Sequence, residues 1–423
     1  MIEFGAHSAS GVRSPGVMHS ACQAQRRAPV RSIKGEEASM DFDFTSEQEA
    51  MREAARRFAR DKLAPGYATR EADGFIDRAL VREMGALGLI GPELPQRFGG
   101  LEAGGVTAGI VMEEVSYADM NVGYICLLGS LLGILLSSHA QADVADVLVP
   151  RIIAGDTIVA LALTEPSGGS DAASLAMSAR REGTSYVLRG EKTSISLALQ
   201  ADHAIVFART GQAGERARGV TAFVVPLDAP GVSRTSFSDV GSAAVGRGSI
   251  FFDDVRVDEA CRIGHDGGGF HQVMNGFDYS RALIGLQVLA AARASLDETW
   301  AYITERQAFG NPLAKYQGVT EPLAEAETLL SAARLLCYKA LWLRDQGRPH
   351  TAEAAMCKWW APKTAFETAH RCLLTHGHAG FSRDLPHQQR MRDILGLMIG
   401  DGTEQIQKMI IAREKVGRIA VPY

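Results

Sequence analysis

The chain has 423 residues, 46% hydrophobic and 22% charged, which is typical of a globular protein with two or three domains and a large core. Its formal net charge of −5 gives no sign of a nucleic-acid or anionic-membrane partner. The six cysteines are scattered without a C-x-x-C pair, so neither a disulfide framework nor a zinc site is indicated, and a reducing cytosol fits.

Residues 1–39 differ from the rest of the chain. They are rich in Ser, Ala, Gly and Arg and show no periodicity. Arginines among serines are typical of a targeting peptide, but Glu3, Glu36 and Glu37 and the lack of a hydrophobic segment argue against one. We interpret this segment as a disordered tail, with Met40 as the more natural beginning.

The pattern over 40–154 predicts an all-helical domain. Thr45-Ser46-Glu47-Gln48 is a helix-start signal, and apolar residues follow at helical spacing. The longest apolar run, 125–136, is interrupted by glycine and serine and is too short to span a bilayer. It predicts a buried helix.

The period changes near residue 155. Short apolar runs at 157–163, 186–188, 204–208, 220–227 and 249–257 are separated by turn residues, with no helical pattern between them. They predict a compact antiparallel sheet or barrel over 155–264. Long helical patterns then fill 265–423, opened by Gly267-Gly268-Gly269. Helices, strands and helices in successive blocks predict an α+β fold of three domains.

One stretch near the C-terminus combines a turn with a carboxylate. Two glycines flank Asp401, and apolar residues at helical spacing follow from Ile406. The local alternative is a capping box, with Asp401 as the N-cap and Glu404 three residues later.

A second stretch, 163–171, follows a predicted strand and contains Gly168, Gly169 and two serines. A loop of this kind exposes backbone N–H groups and hydroxyls to an anion such as a pyrophosphate. A simple surface turn is the alternative, and the stretch is not a G-x-G-x-x-G fingerprint.

Together these stretches resemble the two signature regions of the acyl-CoA dehydrogenase family, whose members are FAD enzymes. The resemblance extends over about 41–420, because further segments match in the same order and spacing. These segments are Gly190–Ser196, Asp278–Arg281, Glu305–Gly310 with Tyr316-Gln317, Gly380–Asp384 and Ile411–Glu414. The resemblance implies an N-terminal helical domain, a central β domain and a C-terminal four-helix domain in a homotetramer.

The resemblance also implies the residues that contact FAD: Leu163, Thr164, Gly169, Ser170, Ser194, Ile195, Ser196, Arg306, Phe309, Gln317, Thr403 and Gln405. Among these, the segment that carries Arg306 resembles the part that reaches the FAD of a neighbouring subunit. A guanidinium there suits a phosphate, and a surface ion pair is its alternative.

A second set of residues is implied to line the CoA thioester site: Ser170, Asp278, Arg281, Gly402 and Arg413. Asp278 and Arg281 are three residues apart on a predicted helix, so a structural salt bridge between them is the alternative.

The chemistry implied by the family removes a proton alpha to the thioester carbonyl while a hydride leaves the beta carbon for the flavin. Most members use Glu as the base, and the matching position here is Asp401, shorter by one methylene or about 1.5 Å. Misplacement of a catalytic base is costly, so this change is expected to impair an ordinary straight-chain enzyme.

Two more departures indicate an unusual acyl group. Ser194 stands where the family usually has Trp, and Leu197 where it usually has Asn; loss of the Trp empties space beside the flavin. With Asp401 and the segment 375–378, the sequence most resembles the branch that dehydrogenates cyclohexanecarboxyl-CoA to cyclohex-1-ene-1-carboxyl-CoA. A metal site at His376 and His378 is weakly supported, and a polar turn at a helix end is preferred.

The resemblance implies an electron-transferring flavoprotein as acceptor, and neither nucleic acid nor a membrane as partner. Dehydrogenation of a short or branched acyl-CoA, or of a carrier-bound acyl group, stays open, as does oxygen as acceptor. A non-catalytic flavoprotein of the same fold is the alternative from another class. The net charge and the retained carboxylate argue against it.

Overall fold

The computed structural model describes residues 42–421, so the predicted tail 1–39 lies outside the described residues. The elements below belong to one unit that begins at Phe44. The first helix, α1 (Ser46–Phe58), starts with the predicted capping box, in which the side chains of Thr45 and Gln48 each bond the other's backbone N–H. Five helices follow it: α2 (Tyr67–Asp73), α3 (Arg78–Ala86), α4 (Gly104–Ala118), α5 (Gly123–His139) and α6 (Ala142–Ile153).

Helix α5 forms the centre of the N-terminal helices. Its residues are apolar on every side, and nearly all are buried. The prediction of a buried helix over 125–136 is therefore confirmed. In the described part of the chain, no helix is long and apolar enough to cross a membrane.

The middle of the chain forms an eight-stranded sheet. Its strands are β1 (Val159–Ala162), β2 (Ser178–Glu182), β3 (Ser185–Ile195), β4 (His203–Arg209), β5 (Val220–Pro226), β6 (Val232–Ser236), β7 (Gly248–Asp258) and β8 (Arg262–Ile263). Seven of them lie in the order β6-β7-β3-β2-β4-β5-β8, and β1 pairs with β4.

Most neighbours in this sheet are antiparallel, as predicted, but β4 runs parallel to both β1 and β2, with Val159 opposite His203 and Ser178 opposite Arg209. The prediction of an antiparallel sheet is therefore wrong at the two pairs that β4 forms with β1 and β2. The sequence also gave no sign of β2, whose residues Ser-Ala-Arg-Arg-Glu include only one buried side chain, Ala179.

Helices return after the sheet. The longest, α7 (Gly269–Glu305), packs against helices of both helical blocks, including α4 and α5. A small hairpin of β9 (Gln307–Ala308) and β10 (Asn311–Pro312) follows it. The remaining helices are α8 (Gln317–Asp345), α9 (Thr351–Thr375), α10 (His378–Phe381), α11 (His387–Ile399) and α12 (Glu404–Val416).

A buried carboxylate on α11, Asp393, links three parts of the chain. It accepts hydrogen bonds from the Tyr67 hydroxyl at 2.6 Å, the Asn121 side-chain amide at 3.0 Å and the Ser242 backbone N–H at 2.5 Å. Burial raises the pKa of Asp393 to about 6. These bonds join the first helices, a loop of the sheet and the last helices, and so fix α11 just before the loop that carries Asp401.

Candidate functional site

The loop between α11 and α12 places Asp401 in an unusual conformation. Its φ is +54°, in the left-handed region that non-glycine residues rarely adopt. The N-cap of α12 is Thr403, not Asp401, and no side chain caps this helix. The capping-box alternative for Asp401 is therefore wrong. Its local spacing fits, but the chain enters the helix two residues later.

The Asp401 carboxylate faces α7. Its Oδ2 lies 3.1 Å from the hydroxyl of Ser280, which donates a hydrogen bond to it. Burial raises the pKa of Asp401 above its usual value, while the positive charges of Lys358 and Arg281 and the Ser280 hydrogen bond oppose that rise. The carboxylate is thus kept largely out of water, with one hydroxyl as its hydrogen-bond donor.

Two predicted substrate residues form an ion pair next to Asp401. An Arg281 terminal nitrogen lies 2.8 Å from Asp278 Oδ1, and the Thr351 hydroxyl donates to Asp278 Oδ2 at 2.6 Å. The structural salt bridge considered from the sequence is present. Arg281 is only 5% exposed, and its buried Nε has no hydrogen-bond partner. One donor of this guanidinium is therefore left for another group.

Further polar groups around α7 have no strong signal in the sequence. Tyr279 donates a hydrogen bond to Glu93 Oε1 at 2.8 Å, and Glu93 Oε2 is buried without a partner. Burial raises the pKa of Glu93. Lys358 on α9 is buried beside the Asp401 loop. Tyr279 and Ser280 lie inside the Asp278–Arg281 segment that carries the family resemblance. For Glu93 and Lys358, the only indication in the sequence is a charged residue among apolar neighbours.

The turn after β1 is exposed from Pro166 to Asp171, but the residue before it is not. Glu165 is 6% exposed and forms a 2.7 Å ion pair with the fully buried Lys192 of β3. The Glu165 carboxylate also accepts hydrogen bonds from the backbone N–H groups of Ala176 and Met177. The buried ion pair of Glu165 and Lys192 therefore anchors the exposed turn. The surface-turn alternative describes residues 166–171 but not Glu165.

The two predicted flavin segments of the sheet lie side by side. The Thr193 N–H donates a hydrogen bond to the Thr164 carbonyl at 2.9 Å. This bond holds the end of β3 beside the start of the 163–171 turn. Ser194 is exposed with φ +59°, and Ile195 next to it is buried. Ser194 therefore presents only a small exposed side chain at this end of β3.

The polar side chains predicted to contact FAD have the chemistry that such a ligand requires. In the described residues, the hydroxyls of Thr164, Ser170, Ser196 and Thr403 make no hydrogen bond, nor does the Gln405 amide. All five are at least partly exposed. Beside them Gly169 is open, because a Cβ at this position would meet only Thr164 Cγ2, at 3.6 Å. Free donors around an open loop fit a pyrophosphate and a polar ring edge.

The remaining predicted cofactor residues lie on and after the β9–β10 hairpin. Phe309, at its tip, is 95% exposed, and Gln317 is exposed at the start of α8. The exposed Arg306 has no carboxylate within 4.0 Å among residues 44–421, so the surface ion pair considered for it is absent.

The two histidines near the end of α9 differ. His376 is buried and stacks between Tyr302 and His387, with ring centroids 4.1 Å apart on each side. His378 is exposed at the start of α10. No group of three His, Cys, Asp or Glu side chains within the described residues could hold a metal ion. His376 is thus part of the helix packing, at a helix end as predicted but not on the surface.

Comparison with known proteins gives a consistent result over the whole described unit. Three family models match: "Acyl-CoA dehydrogenase, N-terminal domain" over residues 45–156, "middle domain" over 160–255 and "C-terminal domain" over 267–416. A benzylmalonyl-CoA dehydrogenase of Aromatoleum aromaticum is 34% identical over 381 residues, which cover 89% of this chain and 99% of the relative.

Two solved structures are similar in fold. Butyryl-CoA dehydrogenase from Megasphaera elsdenii superposes with a TM-score of 0.86 at 28% identity, covering 89% of this chain and 100% of that one. The structure described as PigA with FAD and proline has a TM-score of 0.86 at 26% identity, covering 90% and 100%. The same fold therefore occurs in a butyryl-CoA dehydrogenase and in a protein whose structure contains FAD and proline.

Proposed function

The chain belongs to the acyl-CoA dehydrogenase family, and from that premise we propose that Asp401 is the base that removes the alpha proton of its thioester substrate. As a member of the family the protein is an FAD enzyme that dehydrogenates acyl-CoA thioesters. When bound, FAD supplies the acceptor for the hydride that leaves the beta carbon.

The surroundings of Asp401 support this role. Asp401 is half-buried, and this burial raises the pKa of its carboxyl, which makes it a stronger base than a carboxylate in water. Within the described residues the carboxylate forms no close ion pair, and its hydrogen bond comes from the Ser280 hydroxyl. The alpha C–H bond breaks with its proton passing to the Asp401 carboxylate, while the electron pair stays on the thioester as an enolate. The unpartnered Nε of Arg281 is the observation that supports a polar ligand next to this carboxylate.

Residues of the sheet and of α12 are proposed to hold FAD. The open glycine of the exposed turn supports this assignment, as do hydroxyls that make no hydrogen bond among the described residues. The guanidinium of Arg306, which has no carboxylate within 4.0 Å among residues 44–421, suits a phosphate. The complete proposed set is Leu163, Thr164, Gly169, Ser170, Ser194, Ile195, Ser196, Arg306, Phe309, Gln317, Thr403 and Gln405. The proposed thioester site consists of Ser170, Asp278, Arg281, Gly402 and Arg413.

For the substrate we propose an alicyclic acyl group, cyclohexanecarboxyl-CoA, which is oxidised to cyclohex-1-ene-1-carboxyl-CoA. Two features support it: the shortened base Asp401 and the small exposed Ser194 at the end of β3. Together they suit a bulky ring. A short or branched acyl-CoA or a carrier-bound acyl group is the alternative, because the relatives named above act on both small and aromatic thioesters.

The other parts of the proposal concern assembly and partners. The 95% exposed Phe309 on the hairpin supports contact with another copy of the chain, and we propose a homotetramer. An electron-transferring flavoprotein is the proposed acceptor. The five described cysteines are all free thiols, which suits the proposed cytosolic location. The proposed domains are 40–154, 155–264 and 265–423.

Anaerobic reduction of the bound flavin tests the substrate proposal. Purified holoenzyme is mixed with cyclohexanecarboxyl-CoA, isobutyryl-CoA or butyryl-CoA, and the loss of flavin absorbance is followed. Fast bleaching by the ring thioester alone is expected. Bleaching by the open-chain thioesters alone would refute the alicyclic substrate while leaving Asp401 as the base. Lack of bleaching by all three would count against dehydrogenation of free acyl-CoA.

A further inference from the structure

The Asp401 loop needs support because its conformation is unfavourable for a residue with a side chain. Asp401 is in the left-handed region, and Gly402 after it has φ +93°. Gly402 is also crowded, since a Cβ there would lie 2.5 Å from Gln407 Nε2. A loop of this kind keeps one conformation only where neighbouring groups hold it.

Two buried side chains hold the carbonyl groups of this loop. Gln407 of α12 donates from Nε2 to the Asp401 carbonyl at 2.9 Å and to the Gly402 carbonyl at 3.2 Å. Lys358 of α9 donates from Nζ to the Leu397 carbonyl at 2.7 Å and approaches the Gly402 carbonyl at 3.4 Å. We call Lys358 and Gln407 the carbonyl clamp.

The two members of the carbonyl clamp differ in charge. Lys358 is 1% exposed and has no carboxylate within 4.0 Å among residues 44–421. A buried ammonium is costly unless charge nearby compensates it. Asp401 is the carboxylate that stabilises the charged form of Lys358, and Lys358 in turn favours the ionised form of Asp401. Gln407 is fully buried and contributes hydrogen bonds alone.

Other titratable groups also face this pair. Arg281 of α7 favours the ionised form of Asp401 and opposes the charge on Lys358. Asp278 pairs with Arg281 and favours its charged form, whereas Arg413 of α12 opposes the positive charge on Arg281. Tyr124 of α5 is influenced by Asp401, and burial raises the pKa of this phenol well above its usual value. Lys358 contacts the loop backbone at the Gly402 carbonyl.

We propose that Lys358 is a positioning residue for the proton-transfer step: it fixes the Asp401 loop through the Gly402 carbonyl and supplies the positive charge that keeps Asp401 ionised. Gln407 shares the first role and lacks the second. The proposal rests on the proposed function of Asp401 as the base. Removal of Lys358 should therefore change both the rate and its pH dependence, whereas removal of Gln407 should change the rate alone.

Exchange of the alpha hydrogen with D2O tests this step apart from oxidation. Phenylacetyl-CoA and acetyl-CoA have alpha hydrogens but no beta hydrogen, so the proton can leave and return while no hydride is transferred. Deuterium incorporation is measured by mass spectrometry between pD 5 and 10 with FAD-loaded protein. The variants are Lys358→Met, Lys358→Gln, which keeps an N–H donor without the charge, and Gln407→Leu. Lys363→Met, an exposed lysine of the same helix, is the control.

In the Lys358 variants, the acid limb of the exchange rate is expected to move upward by about one pH unit, since loss of a nearby cation raises a carboxyl pKa by about 1–3 units. Gln407→Leu should lower the rate about tenfold with an unchanged midpoint. Lys363→Met should match the wild type. Folded Lys358→Gln protein with the wild-type midpoint would overturn the proposal, as would an equal shift in Gln407→Leu.

The same experiment separates failure of this proposal from failure of the proposed function. Asp401→Asn should lose exchange altogether. If it exchanges at the wild-type rate, Asp401 is not the base and the role of Lys358 falls with it. If Asp401→Asn is inactive while the Lys358 variants keep the wild-type limb, the base is correct and only the positioning role is refuted.

Discussion

Lys192 and Lys358 are both buried, and burial lowers the pKa of each ammonium to about 8. Each lies near a carboxylate of a predicted site segment. Lys192 forms a direct 2.7 Å ion pair with Glu165, whose other contacts are backbone N–H groups. Lys358 instead contacts the carbonyls around Asp401 and leaves that carboxylate to the Ser280 hydroxyl.

The difference separates a structural carboxylate from one that is available for chemistry. Both carboxylate oxygens of Glu165 accept hydrogen bonds from other groups, so this residue anchors the turn beside which FAD is proposed to bind. The charge on Asp401 is stabilised by cations that do not form a close ion pair with it. A proton acceptor needs this second arrangement, because a carboxylate in a close ion pair is a weaker base.

Asp401→Asn should give the largest effect on the rate. Asparagine keeps the shape of the side chain but cannot accept the alpha proton, so flavin reduction should fall by about 10³-fold, within the range for loss of a general base. Stopped-flow absorbance with the best thioester of the panel measures it. FAD should remain bound, which the flavin spectrum of the purified variant verifies. Retained activity would show that Asp401 is not the base.

Lys192→Met should give the largest effect on stability. It leaves the Glu165 carboxylate buried without its cation, which costs about 3–5 kcal/mol. Urea denaturation measures the loss in the free energy of unfolding. Lys62→Met is the matched control, because its 3.0 Å ion pair with Glu83 is exposed and should be worth less than about 1 kcal/mol. Equal losses in both variants would refute the anchoring role of the buried pair.

These two charge arrangements also show how much of the molecule could be predicted from its sequence. The order of helical and strand blocks follows from hydrophobic period, and the position of Asp401 follows from a motif. The local rule that made Asp401 an N-cap fails because the loop conformation depends on α7 and α9, which are distant in sequence.

Other features could not be predicted for similar reasons. Lys358 lies in an ordinary helical pattern, and its burial depends on where the α11–α12 loop lies against α9. The strand β2 ends in three consecutive charged residues, Arg180 to Glu182, which look like a surface segment, although its backbone lies inside the sheet between β3 and β4. In each case the decisive partner comes from another part of the chain, so the local sequence carries little of the signal.

The pH dependence of stability should distinguish Lys358→Met from the wild type by a smaller amount. Folding lowers the pKa of Lys358 from about 10.5 to about 8. Between these pH values the Lys358 amine is therefore protonated more often in the unfolded chain than in the folded protein. Stability is therefore expected to rise with pH in this window as the folded protein sheds its buried charge. In Lys358→Met the slope should be less positive by up to about 1.4 kcal/mol per pH unit.

Denaturation in urea at several pH values measures this slope, with Lys363→Met as the control. Lys192→Met should lose the same contribution, because the pKa of Lys192 is lowered in the same direction. Identical slopes in the wild type and Lys358→Met would show that Lys358 is not a strongly perturbed ammonium.

Ser280→Ala should give the smallest effect and bears on the difference between the two carboxylates most directly. The hydroxyl donates the hydrogen bond to Asp401 Oδ2 at 3.1 Å and favours the ionised form of the carboxylate. Its removal should raise the pKa of Asp401 and move the acid limb of flavin reduction upward by about half a pH unit or less. The rate at pH 8 should fall about fivefold, since the net contribution of a hydrogen bond is about 1 kcal/mol.

Thr328→Ala on α8 is the control, because this exposed threonine bonds only the Ala324 carbonyl of its own helix. If Ser280→Ala leaves both the limb and the rate unchanged, the hydroxyl does not hold the reactive form of Asp401. Arg281 and Lys358 would then be sufficient to keep the carboxylate ionised. Asp401 would differ from Glu165 only in the distance between the carboxylate and its cations.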